Sequence, residues 1–158
     1  MNLRKASVTI HDEIIELYKN KTIEALKAIK FKWAYGKDVD KILDHTQNPV
    51  ANLYTIFTVS TRELILNAVF NEVTCESLFT DNLVNNARIA KTLSRWEKGL
   101  YVDPPTVFLS QHHKNKIEFS DGRHRAKITY LLDHKEIPIA VANCDIPQIS
   151  NIINLKKT

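Results

Sequence analysis

The stretch with the densest chemistry in this chain is Ser120-Asp121-Gly122-Arg123-His124-Arg125. Ile117-Glu118-Phe119 before it reads as a strand, and the residues from Arg123 to about Leu132 read as a helix. A glycine between the two lets the backbone turn sharply and approach a ligand closely. Gly122 is one of only three glycines in the chain, so its position carries information. The first turn of the helix that follows leaves N–H groups without intrahelical partners, and the helix dipole favours an anion there. Arg123 and Arg125 add guanidinium forks suited to phosphate, and His124 adds a donor whose charge changes near neutrality. Two arginines in a first turn oppose the dipole unless an anion compensates them. The competing reading is a tight turn whose arginines are solvated or paired with Asp121 or Glu118.

Other groups of residues carry weaker chemical signals. His112 and His113, with His124, are conceivable metal ligands, but adjacent histidines in a polar loop without an Asp/Glu–His spacing do not form a metal motif, and none is expected. Glu118 with Asp121 would be a paired-acid arrangement for Mg²⁺-dependent hydrolysis. Strand alternation puts Glu118 and Ser120 on one face and leaves Asp121 outside it, which argues against the pair. Trp33, Tyr35, Trp96 and Tyr101 lie among lysines and could stack on bases, but Trp33 and Trp96 fit better as core residues. Cys75 and Cys144 are far apart and in no Cys-x-x-Cys arrangement, so two reduced structural thiols are expected rather than a disulfide framework or thiolate zinc site.

The elements that must position the turn follow from periodicity. Residues from His11 to about Lys32 are expected to form a helix with Ile14, Leu17, Tyr18, Leu26 and Ile29 on one stripe, capped by Thr9. Gly36 breaks it, and a short helix from Asp38 to His45 ends before Asn48-Pro49. Leu53 to Val59 is β-branched and aromatic, hence a strand. Ser60-Thr61-Arg62-Glu63 then caps a helix running from Glu63 to Glu72. A further helix is expected from Asp81 to Lys98, with Leu83, Ala87, Ala90, Leu93 and Trp96 inward and Gly99 at its C-terminal end. Thr106–Leu109 and Lys116–Phe119 read as a hairpin, and Ile137–Val141 as a strand whose Pro138 suggests an edge position or the strand's very start. Residues 143–158 read as a short helix and a basic tail.

Lys98-Gly99-Leu100-Tyr101-Val102-Asp103-Pro104-Pro105-Thr106-Val107-Phe108-Leu109, then Ile117-Glu118-Phe119-Ser120-Asp121-Gly122-Arg123-His124-Arg125-Ala126, then Ile137-Pro138-Ile139-Ala140-Val141 resembles the ParB/sulfiredoxin-like superfamily over about residues 93–141. In that superfamily a helix ending in Gly leads to a Pro-preceded strand, a hairpin, a Gly-x-x-Arg type turn into a helix, and an Ile-Pro-Val strand. The resemblance implies a mixed α/β fold with a helical N-terminal extension, divided here as 1–52 and 53–158. It also implies a ParB-type pocket for nucleotide phosphates, with CTP or ATP and Mg²⁺ as the ligand and DNA as a second partner. Carried over by position, Gly122, Arg123, His124 and Arg125 hold phosphates, with Asp121 a weaker candidate as turn former or metal ligand. Arg62, in Ser60-Thr61-Arg62, is the best candidate for a second, upstream phosphate-contacting segment. Sulfiredoxins carry a catalytic Cys where this chain has Arg123, so cysteine-sulfinate reduction is not expected. The chain is too short for the central DNA-binding and dimerising domains of a partition ParB.

Bulk properties agree with this reading without demanding it. The 158 residues carry a formal net charge of +4 and a hydrophobic share of 44%, enough for a real core and compatible with a polyanionic partner. No signal-peptide pattern or membrane-length apolar run is present, so a cytoplasmic protein without a membrane partner is expected. The expected function is nucleotide-phosphate binding, with DNA binding and weak nuclease or NTPase activity as extensions. The alternative is a non-catalytic interaction or regulatory factor of plasmid or phage type. It would use the same scaffold to bind a macromolecule and block or regulate it. Under either reading the N-terminal extension is a candidate for binding a protein partner or a second copy of the chain as a homodimer. A helix-turn-helix over residues Thr22 to His45 is a third, weaker reading, and it predicts steeply salt-dependent DNA binding.

Overall fold

The computed structural model describes residues 12–43, 53–71 and 73–158. It is a mixed α/β fold built on a six-stranded sheet. Helix α1 spans 12–19 and α2 Ile23–Lys27, followed by a 3-10 turn at Gly36–Lys41. Then come β1 Tyr54–Ser60, α3 Thr61–Asn67, β2 Ala68–Val69, α4 Leu83–Glu97, β3 Thr106–Leu109, β4 Ile117–Asp121 and α5 Arg123–Leu131. The chain ends with β5 Glu136–Ala142, a 3-10 turn Asn143–Asp145, α6 Ile146–Ile149 and β6 Lys156–Lys157. Among the described residues no helix is long and apolar enough to cross a membrane.

The strand order is β2-β4-β3-β5-β1-β6. β5 pairs antiparallel with β1 along its whole length, from Tyr54↔Ala142 to Ser60↔Glu136, and parallel with β3. Alternation puts Ile137, Ile139 and Val141 of β5 with Phe57 and Val59 of β1 in one core, while Pro138 and Ala140, on the other face of β5, are buried as well. β5 is therefore an interior strand, contrary to the edge position expected from Pro138. Ala140 donates its N–H to the Pro105 carbonyl at 2.8 Å, so even-numbered amides of β5 face the β3 side. The Pro138 nitrogen lies two residues earlier on that same side, before the β3 ladder begins, so the missing N–H removes no ladder bond.

Two apolar clusters hold the molecule together. One joins the sheet to Leu64 of α3, Ala126 of α5 and Ile149 of α6. The other joins Ile15, Tyr18, Leu26 and Ile29 to Ile89, Ala90, Leu93 and Trp96 of α4 and to Ile128 and Leu132 at the end of α5. Helix α5 thus serves both clusters, which is why Ala126, Lys127, Ile128 and Thr129 are all buried in succession. Trp96 stacks on Phe31 with ring centroids 3.9 Å apart, and Trp33 meets it edge-on at 5.1 Å. These tryptophans are core residues.

Several local expectations are corrected. The long first helix is broken: Thr22 accepts a hydrogen bond from the Ala25 N–H, so its side chain starts a new helix instead of continuing the old one. Leu17 is consequently exposed, while Ile15 and Tyr18 take the core positions. The helix expected from Asp38 to His45 is a 3-10 turn over Gly36–Lys41, with Asp38 itself off helical geometry. With α2 only five residues long, no helix-turn-helix pair is formed among the described residues. α3 stops at Asn67 and gives way to the short β2, which pairs parallel with β4. Leu83 is exposed rather than inward, because Asn82 caps α4 and the inward stripe begins only at Asn85. The expected basic tail instead adds β6 to β1. Thr9, His11, His45, Asn48-Pro49 and Glu72 lie outside the described residues.

Candidate functional site

Strand β4 ends in a bulge. Val107 pairs with Phe119 but Thr106 pairs with Asp121, so Ser120 is the extra residue, and its Oγ donates to the Thr106 carbonyl at 3.2 Å. A bulge bends and re-aims the strand at this point. Gly122 follows with φ +93° and serves as the N-cap of α5. A Cβ there would sit 2.7 Å from Pro105 Cα and 2.8 Å from Pro105 Cβ, so the turn is pressed against the approach to β3 and only glycine fits. The start of α5 has no side-chain cap, whereas α2, α3 and α4 are capped by Thr22, Ser60 and Asn82.

The arginines of the turn divide their roles. Arg125 is largely buried. Its guanidinium forms an ion pair with Asp121 at 2.6 Å and donates to the Asp103 carbonyl. It fastens the turn to the segment before β3, and Asp121 is the residue it holds. Arg123 is partly exposed and takes part in no ion pair among the described residues. The pairing of an arginine with Asp121 weighed as an alternative is thus realised for Arg125 and not for Arg123.

His124 points inward. Its Nε2 lies 2.8 Å from Asn85 Oδ1 of α4, and with the amide oxygen facing the ring, Nε2 carries the proton of the neutral imidazole. Burial pushes His124 down to about 4, and the nearby charges of Arg123, Arg88, Lys127 and Arg125 push the same way. The ring is therefore neutral at pH 7. It joins α5 to α4 instead of offering a charge to a ligand.

The structure adds residues that sequence reasoning passed over. Arg88 of α4 stands within electrostatic reach of His124. Lys127 is 1% exposed, burial lowers its pKa, and the Cys75 thiol is its nearby titratable neighbour. Burial raises the pKa of that thiol, so at neutral pH it offers Lys127 no counter-charge. Neither Arg88 nor Lys127 has an ion-pair partner among the described residues. Lys127 was legible as the residue one turn beyond Arg123. Nothing in the sequence pointed to α4, because its approach to α5 is made by packing.

Arg62 does not join this group. It is exposed at the start of α3 and lines a cleft with Tyr130, Asp133 and His134 at the far end of α5. The nine residues of α5, about 14 Å of helix, lie between Gly122 and that cleft. His112 and His113 lie exposed in the β3–β4 turn, where Ser110 Oγ accepts their backbone N–H groups. Among the described residues no three His, Cys, Asp or Glu side chains converge as a metal group. Comparison with protein-family models, curated proteins and solved structures finds no match to this chain.

Proposed function

We propose that this chain binds the phosphate groups of a nucleotide at the start of α5. One observation carries the reading: Arg123 stands at an uncapped helix start, the charges of Arg123, Arg88 and Lys127 all act on His124 of its first turn, and no carboxylate pairs with any of the three among the described residues. Uncompensated cations close together repel one another, and Lys127 is also desolvated. A bound oxyanion relieves both costs and completes the hydrogen bonding of the first-turn N–H groups. Gly122 and Arg123 are the contacting residues of the turn. Asp121 and Arg125 hold its shape, and His124 ties it to α4.

The ParB/sulfiredoxin-like resemblance narrows the oxyanion to a nucleoside triphosphate such as CTP or ATP, with Mg²⁺ on its phosphates. The reading is one of binding, since Asp121 is engaged by Arg125 and His124 by Asn85. DNA binding and weak nuclease or NTPase activity are extensions of it.

The test is thermal unfolding of the protein and of Arg123→Ala with ATP, CTP, GTP or inorganic phosphate, with and without Mg²⁺. A ligand at 100 times its dissociation constant adds about 2.7 kcal/mol of stability. The expected outcome is a shift for at least one nucleotide that Arg123→Ala abolishes. No shift with any of them, or a shift that Arg123→Ala leaves intact, overturns the reading and favours the non-catalytic interaction protein.

A further inference from the structure

Ser60-Thr61-Arg62 joins β1 directly to α3, and the phosphate site proposed at α5 does not use it. The cleft it lines has a volume of about 580 Å³ and is also lined by Tyr130, Asp133, His134, Lys135, Glu136 and Lys156. We propose that this cleft is a second, separate binding site for a small oxyanion, a phosphoryl or carboxylate group held by Arg62, Lys135 and the Thr61 hydroxyl.

Three observations converge on it. First, the carboxylates in the cleft are already engaged: Asp133 pairs with Lys27 at 2.7 Å and Glu136 with Lys156 at 2.9 Å. Arg62 and Lys135 have no such partner among the described residues, so the cleft keeps two positive charges in excess. Second, Thr61 is 1% exposed, and its Oγ1 is the one buried side-chain polar atom without a hydrogen-bond partner among the described residues. A buried hydroxyl left unpaired is unfavourable, and a ligand oxygen is the partner it lacks. Third, the neighbouring polar groups are spent and do not compete for that hydroxyl. Ser60 Oγ accepts from the Glu63 N–H, and the Thr61 N–H goes to the Lys135 carbonyl. The carbonyls of Ile128, Thr129 and Tyr130 near the end of α5 are likewise taken, by the N–H groups of Leu132, His134 and Asp133. The site therefore rests on side chains and not on a helix end. A guanidinium fork beside a hydroxyl matches two oxygens of one phosphoryl or carboxylate group.

The experiment is an amide-resolved NMR titration of the full chain with inorganic phosphate and, separately, with succinate. It is repeated in Arg62→Gln, Thr61→Val and Arg123→Gln. We expect saturable shifts at residues 60–62 and 134–136 with at least one of the two anions. Which anion saturates tells whether the natural group is phosphoryl or carboxylate. Arg62→Gln is expected to weaken that affinity about tenfold or more, the loss of one charged hydrogen bond. Thr61→Val is expected to weaken it several-fold while raising the melting temperature without ligand, since it removes the unpaired hydroxyl. Arg123→Gln removes the response at the start of α5, so shifts that persist around Arg62 belong to the cleft. Unsaturable or absent shifts at residues 60–62 with both anions overturn the proposal, as does an affinity that Arg62→Gln leaves unchanged. The nucleotide reading stands or falls separately, on Arg123.

Discussion

His124 changes its titration strongly between the unfolded and the folded chain. Free, its imidazole titrates near 6.5; folded, burial and the cations around it hold it at about 4. The unfolded chain therefore binds the proton first as pH falls. The folded state keeps this residue's full contribution above about pH 6.5, loses it progressively below that, and has lost it by about pH 4. The loss is of the order of 3 kcal/mol. Urea denaturation at pH 7 and pH 5 should show a clear drop in midpoint that a His124→Asn variant flattens. An equal acid dependence in that variant would assign the loss to other groups. The type of residue at 124 was legible in the sequence, but its neutral state was not. That comes first from burial, then from the charge of Arg123 beside it and that of Arg88, which arrives from another helix.

At the scale of elements, the strand–turn–helix unit is joined by close approach rather than by sequence-local bonds alone. Gly122 combines a φ of +93° with backbone of Pro105 where a Cβ would lie. Gly122→Ala therefore meets two obstacles, an unfavourable backbone conformation and a clash that a side-chain rotation cannot relieve. The expected destabilisation is about 2–4 kcal/mol, read as a lowered denaturation midpoint at unchanged slope. A loss under about 0.5 kcal/mol would mean that β3 and α5 can separate without cost. Strand, turn and helix here were each readable from residue type. The bulge at Ser120 was not, because it exists only in the register between β4 and β3. The break between α1 and α2 was missed for a different reason: the apolar stripe continues across it, while Thr22 decides locally for a cap.

At the scale of the whole molecule, the N-terminal helices and the sheet domain are joined through α4 and α5. Ile15, Tyr18, Leu26 and Ile29 share one core with Ile89, Leu93 and Trp96, and Tyr18 also donates to Glu97 at 2.9 Å. Burial of four such side chains contributes roughly 6–12 kcal/mol, comparable to the about 5–15 kcal/mol stability of a typical domain. A fragment of residues 53–158 is therefore expected to lose cooperative unfolding and to bind a hydrophobic dye. A sharp transition in that fragment, with the midpoint of the full chain, would show that the sheet carries its own stability.

The class of fold, the strand–turn–helix unit and the glycine at its pivot are written in the residues themselves. Those depend on alternation, on helical spacing and on a backbone conformation that few residue types adopt, all local properties of the chain. Which cations lack an ion-pair partner among the described residues depends on long-range packing. Arg123 and Arg125 look alike in the sequence. Arg125 is spent because Asp121 and the Asp103 carbonyl lie within its reach, and Arg123 is not. Arg62 looked like part of the same site and stands at the other end of α5, because the order of strands in the sheet places α3 there. Charge pairing and proximity are set by packing across long sequence separations, and residue type alone does not encode them.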